Sequence, residues 1–173
     1  MITGRPLFTS EQIHEKVVEL AGAIYRDYKG KEVLAVGILK GAFIFFADII
    51  RALKLPVTVD FFVASSYFKT VSKGKTTVYY EPREPVQGRH VLLIDDIVDT
   101  GISLNHIREK ILSQKPASLK ICVLLDKKER RIANVPVDYV GFDIANQFVV
   151  GYGLDYENKY RNLPYIATFK KET

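Results

Sequence analysis

Apolar residues at Ile13, Val17, Leu20 and Ile24 recur at helical spacing and predict a helix from Thr9 to about Tyr28. Thr9 with Gln12 three residues on reads as a capping box at its start, and Gly30 stops it. The next run, Val33 to Ile38, is apolar throughout and reads as a buried strand. A short loop at Leu39-Lys40-Gly41 leads to a helix from about Ala42 to Leu53, then a strand from Val57 to Val63. From Ala64 to Thr76 the chain turns largely polar, with Ser65, Ser66, Lys69, Ser72, Gly74 and Lys75. That is long for a structureless connection, so it is either a mobile functional loop or partly a hairpin. Thr77 to Tyr80 predicts a short strand, and Pro82, Pro85 and Gly88 mark a turn. Val91 to Ile94 and Lys120 to Leu125 are further buried strands, separated by a helix with Leu104, Ile107 and Ile111 on one face. Short strands follow near Val140-Gly141-Phe142 and Phe148-Val149-Val150.

Strands alternating with helices predict an α/β fold, a mainly parallel sheet covered on both faces. In such sheets ligands sit beyond the carboxyl ends of the strands, which is where motifs matter. The 173 residues fit one domain, and a chain of that size buries roughly 70% of its extended surface without staples. Cys122 is the sole cysteine, so no internal disulfide can form and a reducing, cytoplasmic setting is expected. With three histidines beside it, a structural zinc site is disfavoured. No run reaches the roughly 18 apolar residues of a membrane span, and Met1 to Pro6 lacks the apolar core of a signal peptide. The net charge of +5 is compatible with nucleic acid, an anionic metabolite or simply a charged surface.

The chemistry concentrates in Val91-Leu92-Leu93-Ile94-Asp95-Asp96-Ile97-Val98-Asp99-Thr100-Gly101-Ile102-Ser103-Leu104. An apolar strand runs into two adjacent carboxylates; a glycine turn with two hydroxyls then opens a helix. The second half suits a phosphate monoester, because successive backbone N–H groups and a helix N-terminus attract an anion. The Asp pair would repel that phosphate and suits instead neighbouring hydroxyls, such as a ribose diol, or a hydrated magnesium ion. Read singly, Asp99 or Ser103 could be no more than a helix cap. A cap, however, does not need three acids in five positions.

This segment resembles the phosphoribosyl-pyrophosphate signature of the type I phosphoribosyltransferases. The resemblance implies ribose hydroxyls on Asp95 and Asp96, a 5-phosphate on Asp99, Thr100, Gly101, Ile102 and Ser103, and Mg2+ held through Asp95, Asp96 and Asp155. Other segments are similar to the hypoxanthine-guanine branch of that family over nearly the whole chain. Leu39-Lys40-Gly41 matches its diphosphate loop, in which the peptide before the lysine can be cis, and Arg161 matches its diphosphate-contacting arginine. Ser65-Ser66-Tyr67 resembles the start of its flexible active-site loop, about 65–76 here. Lys127 matches the lysine that hydrogen-bonds the purine 6-oxo group, and Phe148 the ring that stacks on the base. Backbone groups of Val149 and Asp155 would read the base edge, under a hood built from the N-terminal and about 126–173 segments. Three positions depart from the pattern: Asp95 stands where many relatives have glutamate, Gln147 where some have lysine, and Ile102 offers only its backbone N–H.

The resemblance thus implies a purine-salvage enzyme that makes IMP or GMP from hypoxanthine or guanine and phosphoribosyl diphosphate. Asp99, a carboxylate beside a phosphate cradle, makes sense as the acceptor of the purine N7 proton. Its partners would be these small molecules, with a homodimer or homotetramer, no membrane and no nucleic acid. Two rivals belong to other classes. A response-regulator receiver needs its acidic pair near the N-terminus, whereas here it lies mid-chain. A regulatory RNA-binding protein on the same fold is favoured slightly by the basic charge, and disfavoured by Lys127 and the Phe148–Asp155 segment.

Overall fold

The computed structural model describes residues 1–66 and 76–170. Helix α1 (Ser10–Tyr28) begins at the expected capping box: Gln12 N donates to Thr9 Oγ1 at 3.3 Å, and Thr9 N donates to Gln12 Oε1 at 2.9 Å. Its stripe of Ile13, Val17, Leu20 and Ile24 is buried.

Strands β1 (Val33–Leu39), β2 (Val57–Ser66), β3 (Thr76–Tyr80), β4 (His90–Val98), β5 (Ser118–Asp126) and β6 (Tyr139–Asp143) form one sheet in the order β3-β2-β1-β4-β5-β6. All neighbours run parallel except β3, which returns antiparallel along β2. Alternate residues of β1 serve opposite faces. Val33 and Ala35 join the core under α1 and α2 (Phe43–Ala52), while Leu34, Val36 and Ile38 join that under α3 (Ile102–Ser113). Burial on both sides is why these strands read as unbroken apolar runs. Chain order reverses between β1 and β4, and a crevice opens at that switch point beyond the strand ends.

β4 runs four residues past the Ile94 boundary expected from sequence, through both acids to Val98. Register explains the difference. Pairing with β1 ends at Gly37–Ile94, whereas β5 keeps pairing with Asp95, Ile97 and Val98. The acids therefore lie on a strand hydrogen-bonded on one side only, and the side that β1 leaves is the crevice.

The polar stretch resolves in part as hairpin: β2 extends to Ser66, which pairs with Thr76 at the start of β3. Tyr67 and the rest of 67–75 lie outside the described residues. Beyond the main sheet, β7 (Val149–Val150) pairs antiparallel with β8 (Ala167–Thr168), and the N-terminal segment bridges the same region through Ile2–Phe169 and Phe8–Ile166. No local pattern marks the two-residue β8, because its partners are remote in sequence. Among the described residues no helix is long and apolar enough to cross a membrane.

Candidate active site

A cavity of about 810 Å³ occupies the crevice. Asp95, Asp96, Asp99, Thr100, Gly101 and Ser103 line it from the end of β4 and the turn into α3; Lys40 and Gly41 line it from the turn after β1. Lys127, Phe148, Val149, Asp155 and Arg161 complete it from the C-terminal third. The fold thus gathers segments more than a hundred residues apart. Ile102 opens α3 and does not line the cavity, while Ser65 and Ser66 end β2.

Gly101 is the N-cap of α3 in the left-handed conformation, at φ +78°, and offers no side-chain cap; Thr100 Oγ1 accepts from Ile102 N only at 3.5 Å. Asp99 and Ser103 are therefore not caps, and the helix N-terminus faces the cavity with its positive dipole end. A Cβ on Gly101 would stand 3.0 Å from the Ala133 carbonyl oxygen, so the loop after β5 packs against this turn. Thr100 O takes two hydrogen bonds from that loop, from Ile132 N at 2.9 Å and Ala133 N at 3.0 Å.

Across the crevice the Leu39–Lys40 peptide is cis. Gly41 needs its missing side chain for a different reason from Gly101: a Cβ there would overlap the Asp96 carboxylate. The diphosphate-loop candidate and the acidic pair are thus in direct contact. Burial raises Asp95 well above the ordinary carboxylate range, with the adjacent Asp96 charge adding to it. Asp96 is also raised by burial, opposed by hydrogen bonds from Asp95 and from Ile97 N (2.8 Å) and by the Arg161 charge. Two crowded carboxylates that resist ionising together favour a site completed by cations or hydroxyl donors.

Arg161 is fixed by two contacts, Nη2 to Asp155 Oδ1 at 2.7 Å and Nη1 to Gly153 O at 2.6 Å. Asp155 Oδ2 accepts from Asn158 N at 2.8 Å. Both Asp155 oxygens are thereby engaged within the chain. Among the described residues no three His, Cys, Asp or Glu side chains come close enough to hold a metal ion by themselves. Asp95, Asp96 and Asp155, grouped as metal ligands from the resemblance, do not form such a cluster. They suit an ion that keeps water and substrate oxygens in most of its positions, as Mg2+ does.

Lys127 follows the end of β5 with its side chain 9% exposed and its pKa lowered by burial, an effect that Asp99 opposes and Arg130 reinforces. Its Nζ stands 3.8 Å from Asp99 Oδ2, while Arg130 Nε donates to Asp99 Oδ1 at 2.8 Å. Phe148 is 41% exposed, its ring backed by Tyr156 at 5.9 Å and Phe169 at 6.1 Å, which stack on each other at 4.5 Å. A partly exposed aromatic held from behind is a platform for a flat ligand.

Sequence reasoning missed Arg130, Tyr79, Asn158 and the Asp126–Arg131 pair. Arg130 sits in the run Asp126-Lys127-Lys128-Glu129-Arg130-Arg131, which reads as solvated charge unless the turn that folds it back is known. Tyr79 lines the cavity from β3, where an aromatic alone carries no such signal.

Known proteins agree with this geometry. The family model described as phosphoribosyl transferase domain matches residues 7–157. The hypoxanthine-guanine phosphoribosyltransferase of Dictyostelium discoideum is 44% identical over 171 residues, covering 96% of this chain and 95% of that protein. That of Streptococcus thermophilus is 42% identical over 167 residues, covering 96% and 93%. A crystal structure of the Bacillus anthracis hypoxanthine-guanine phosphoribosyltransferase, with HEPES in its active site, superposes at a TM-score of 0.93 with 43% identity, covering 98% of this chain and 100% of that one. With the signature, the cradle and the acidic strand end all at one crevice, the chain belongs to the phosphoribosyl transferase family, among its hypoxanthine-guanine phosphoribosyltransferases.

Proposed function

We propose that this chain transfers the 5-phosphoribosyl group from phosphoribosyl diphosphate to hypoxanthine or guanine, giving IMP or GMP and diphosphate in purine salvage. The observation that carries the reading is the pair Lys127 and Asp99, a donor and an acceptor 3.8 Å apart at the ends of neighbouring strands. O6 and N7 are adjacent on one edge of a 6-oxopurine. Lys127 donates to O6 and Asp99 Oδ2 receives the proton of N7, so one base edge meets both.

In the reaction a purine ring nitrogen attacks C1 of the ribose. The C1–O bond breaks, and its electron pair leaves on the diphosphate oxygen. The N7 proton passes to Asp99 as positive charge builds on the base. Thr100, Gly101, the Ile102 N–H and Ser103 hold the 5-phosphate at the uncapped start of α3, while Asp95 and Asp96 accept from the ribose hydroxyls. Lys40, Gly41 and Arg161 receive the diphosphate, and Lys40 and Arg161 stabilise the charge that develops there. Phe148 stacks on the base, and backbone groups of Val149 and Asp155 read its far edge. Mg2+, approached through Asp95, Asp96 and Asp155, would neutralise diphosphate charge when bound. The β7–β8 pair and the N-terminal segment serve as the hood.

The test is kcat/KM for hypoxanthine, guanine and adenine with the wild type and Lys127→Ala. Adenine presents an amino donor to the Lys127 ammonium, a mismatch that buried polar sites reject by roughly 10⁴-fold. Both 6-oxopurines should react, adenine should be nearly inert, and Lys127→Ala should shrink the gap by weakening the 6-oxo bases. Efficient adenine turnover by the wild type would overturn the assignment, whereas an unchanged ratio in Lys127→Ala would move the reading of O6 to another residue.

A further inference from the structure

Asp99 has two oxygens and two cationic neighbours, and the neighbours divide the oxygens between them. Arg130 Nε donates to Oδ1 at 2.8 Å, while Lys127 Nζ lies 3.8 Å from Oδ2, beyond hydrogen-bond range. A carboxylate left to itself turns freely about its terminal torsion, which is broad rather than locked in staggered wells. One held by a directional donor does not.

Arg130 is itself held. It closes the short helical turn Lys128–Arg130, its backbone N donating to Lys127 O at 2.9 Å. The next residue, Arg131, grips the buried Asp126 carboxylate through Nε (3.1 Å) and Nη2 (3.0 Å), and donates through Nη1 to Val135 O at 2.9 Å. Beyond it, Ile132 N and Ala133 N both donate to Thr100 O. The turn is thus tied to β5 on one side and to the residue following Asp99 on the other. Drift of Arg130 relative to Asp99 would have to break one of these ties.

We propose that Arg130 is a positioning residue for Asp99: it holds Oδ1, so that Oδ2, beside Lys127, is the oxygen offered to the purine edge. The inference rests on the reading of Asp99 as proton acceptor and adds a third side chain that contacts no substrate atom. Among the described residues, the cations that face Asp99 are Lys127 and Arg130, both from the turn after β5. Removing the guanidinium loosens the carboxylate.

The experiment compares Arg130→Gln, Arg130→Lys and Asp99→Asn by single-turnover rate and KM. Arg130 and Asp99 are 43% and 40% exposed, so Arg130→Gln should keep its thermal midpoint within about 2 °C. Its single-turnover rate should fall roughly 10–100-fold, as misplaced reacting groups do, with KM for both substrates changing far less. Arg130→Lys should recover the rate only in part, since an ammonium supplies the charge without the planar fork. In an Asp99→Asn background Arg130→Gln should have no further effect. An unchanged rate in Arg130→Gln beside a crippled Asp99→Asn would overturn this inference alone, as would an equal loss in both backgrounds. Normal turnover by Asp99→Asn would overturn the proton-acceptor assignment, and this inference with it.

Discussion

Lys127 is where folding and binding disagree. Its ammonium is nearly buried, and burial lowers its pKa against the partial support of Asp99. The lowered pKa means that folding disfavours the ammonium relative to the unfolded chain, so the charged form carries a cost at every pH below that pKa. Raising the pH through it relieves the cost. Lys127→Met keeps most of the packing and removes the charge, so it should raise the thermal midpoint by roughly 2 °C at neutral pH. The gap to the wild type should narrow as pH climbs through the lowered lysine value toward that of the free side chain. Parallel thermal melts from pH 7 to about pH 10 check this; a constant gap would mean that the ammonium is not the source. Asp99 invites the opposite substitution. Asp99→Asn should leave binding of phosphoribosyl diphosphate intact while turnover falls by roughly 10²–10⁴-fold, read from kcat beside a direct binding measurement. The types of both residues, and the place of Lys127 at a strand end, were legible in the chain. Their 3.8 Å separation was not, because it depends on β4 and β5 being neighbours in parallel register.

Among the elements, the turn after β5 does most to join the two ends of the site. It carries Lys127 for the base, Arg130 for Asp99, and the N–H groups that hold Thr100 in the phosphate loop. Its clamp is the Asp126–Arg131 pair, in which the Asp126 residue is 2% exposed. Breaking one side of such a pair strands a buried charge and costs about 3–5 kcal/mol. Arg131→Met should therefore lose stability on that scale in denaturant unfolding, whereas Asp126→Leu with Arg131→Met should recover much of it. Equal losses in the single and double variants would show that packing, not the charge, holds the turn. In the sequence these residues are a run of alternating charge, and nothing local says which of them turns inward. The first helix is the contrasting case: its capping box and apolar stripe are contacts within a few residues of each other, so reading and structure coincide.

For the molecule as a whole, the strand order gathers the acidic strand end, the Lys40–Gly41 turn and the Phe148–Arg161 segment into one cavity of about 810 Å³. A site built from remote segments should tighten all of them when filled. Phosphoribosyl diphosphate with magnesium at a hundred times its Kd should stabilise the fold by about 2.7 kcal/mol, a thermal shift of roughly 5–10 °C for a chain this size. A salt-sensitive shift with RNA in its place would instead support the regulatory rival that the basic charge allows.

Periodicity along the chain was enough to identify the α/β class, the first helix and the buried strands, because 3.6- and 2-residue patterns and runs of apolar residues report local burial directly. The motif from Asp95 to Ser103 likewise declared its own chemistry, since an anion cradle is a matter of consecutive residues. Three things needed the folded chain: the extension of β4 past β1, which faces the acids into the crevice; the pairing of β7 with β8; and the meeting of Arg130, Asp99 and Lys127. Each is a contact between segments whose separation in sequence carries no information about their distance in space, and that distance is set by which strands lie side by side.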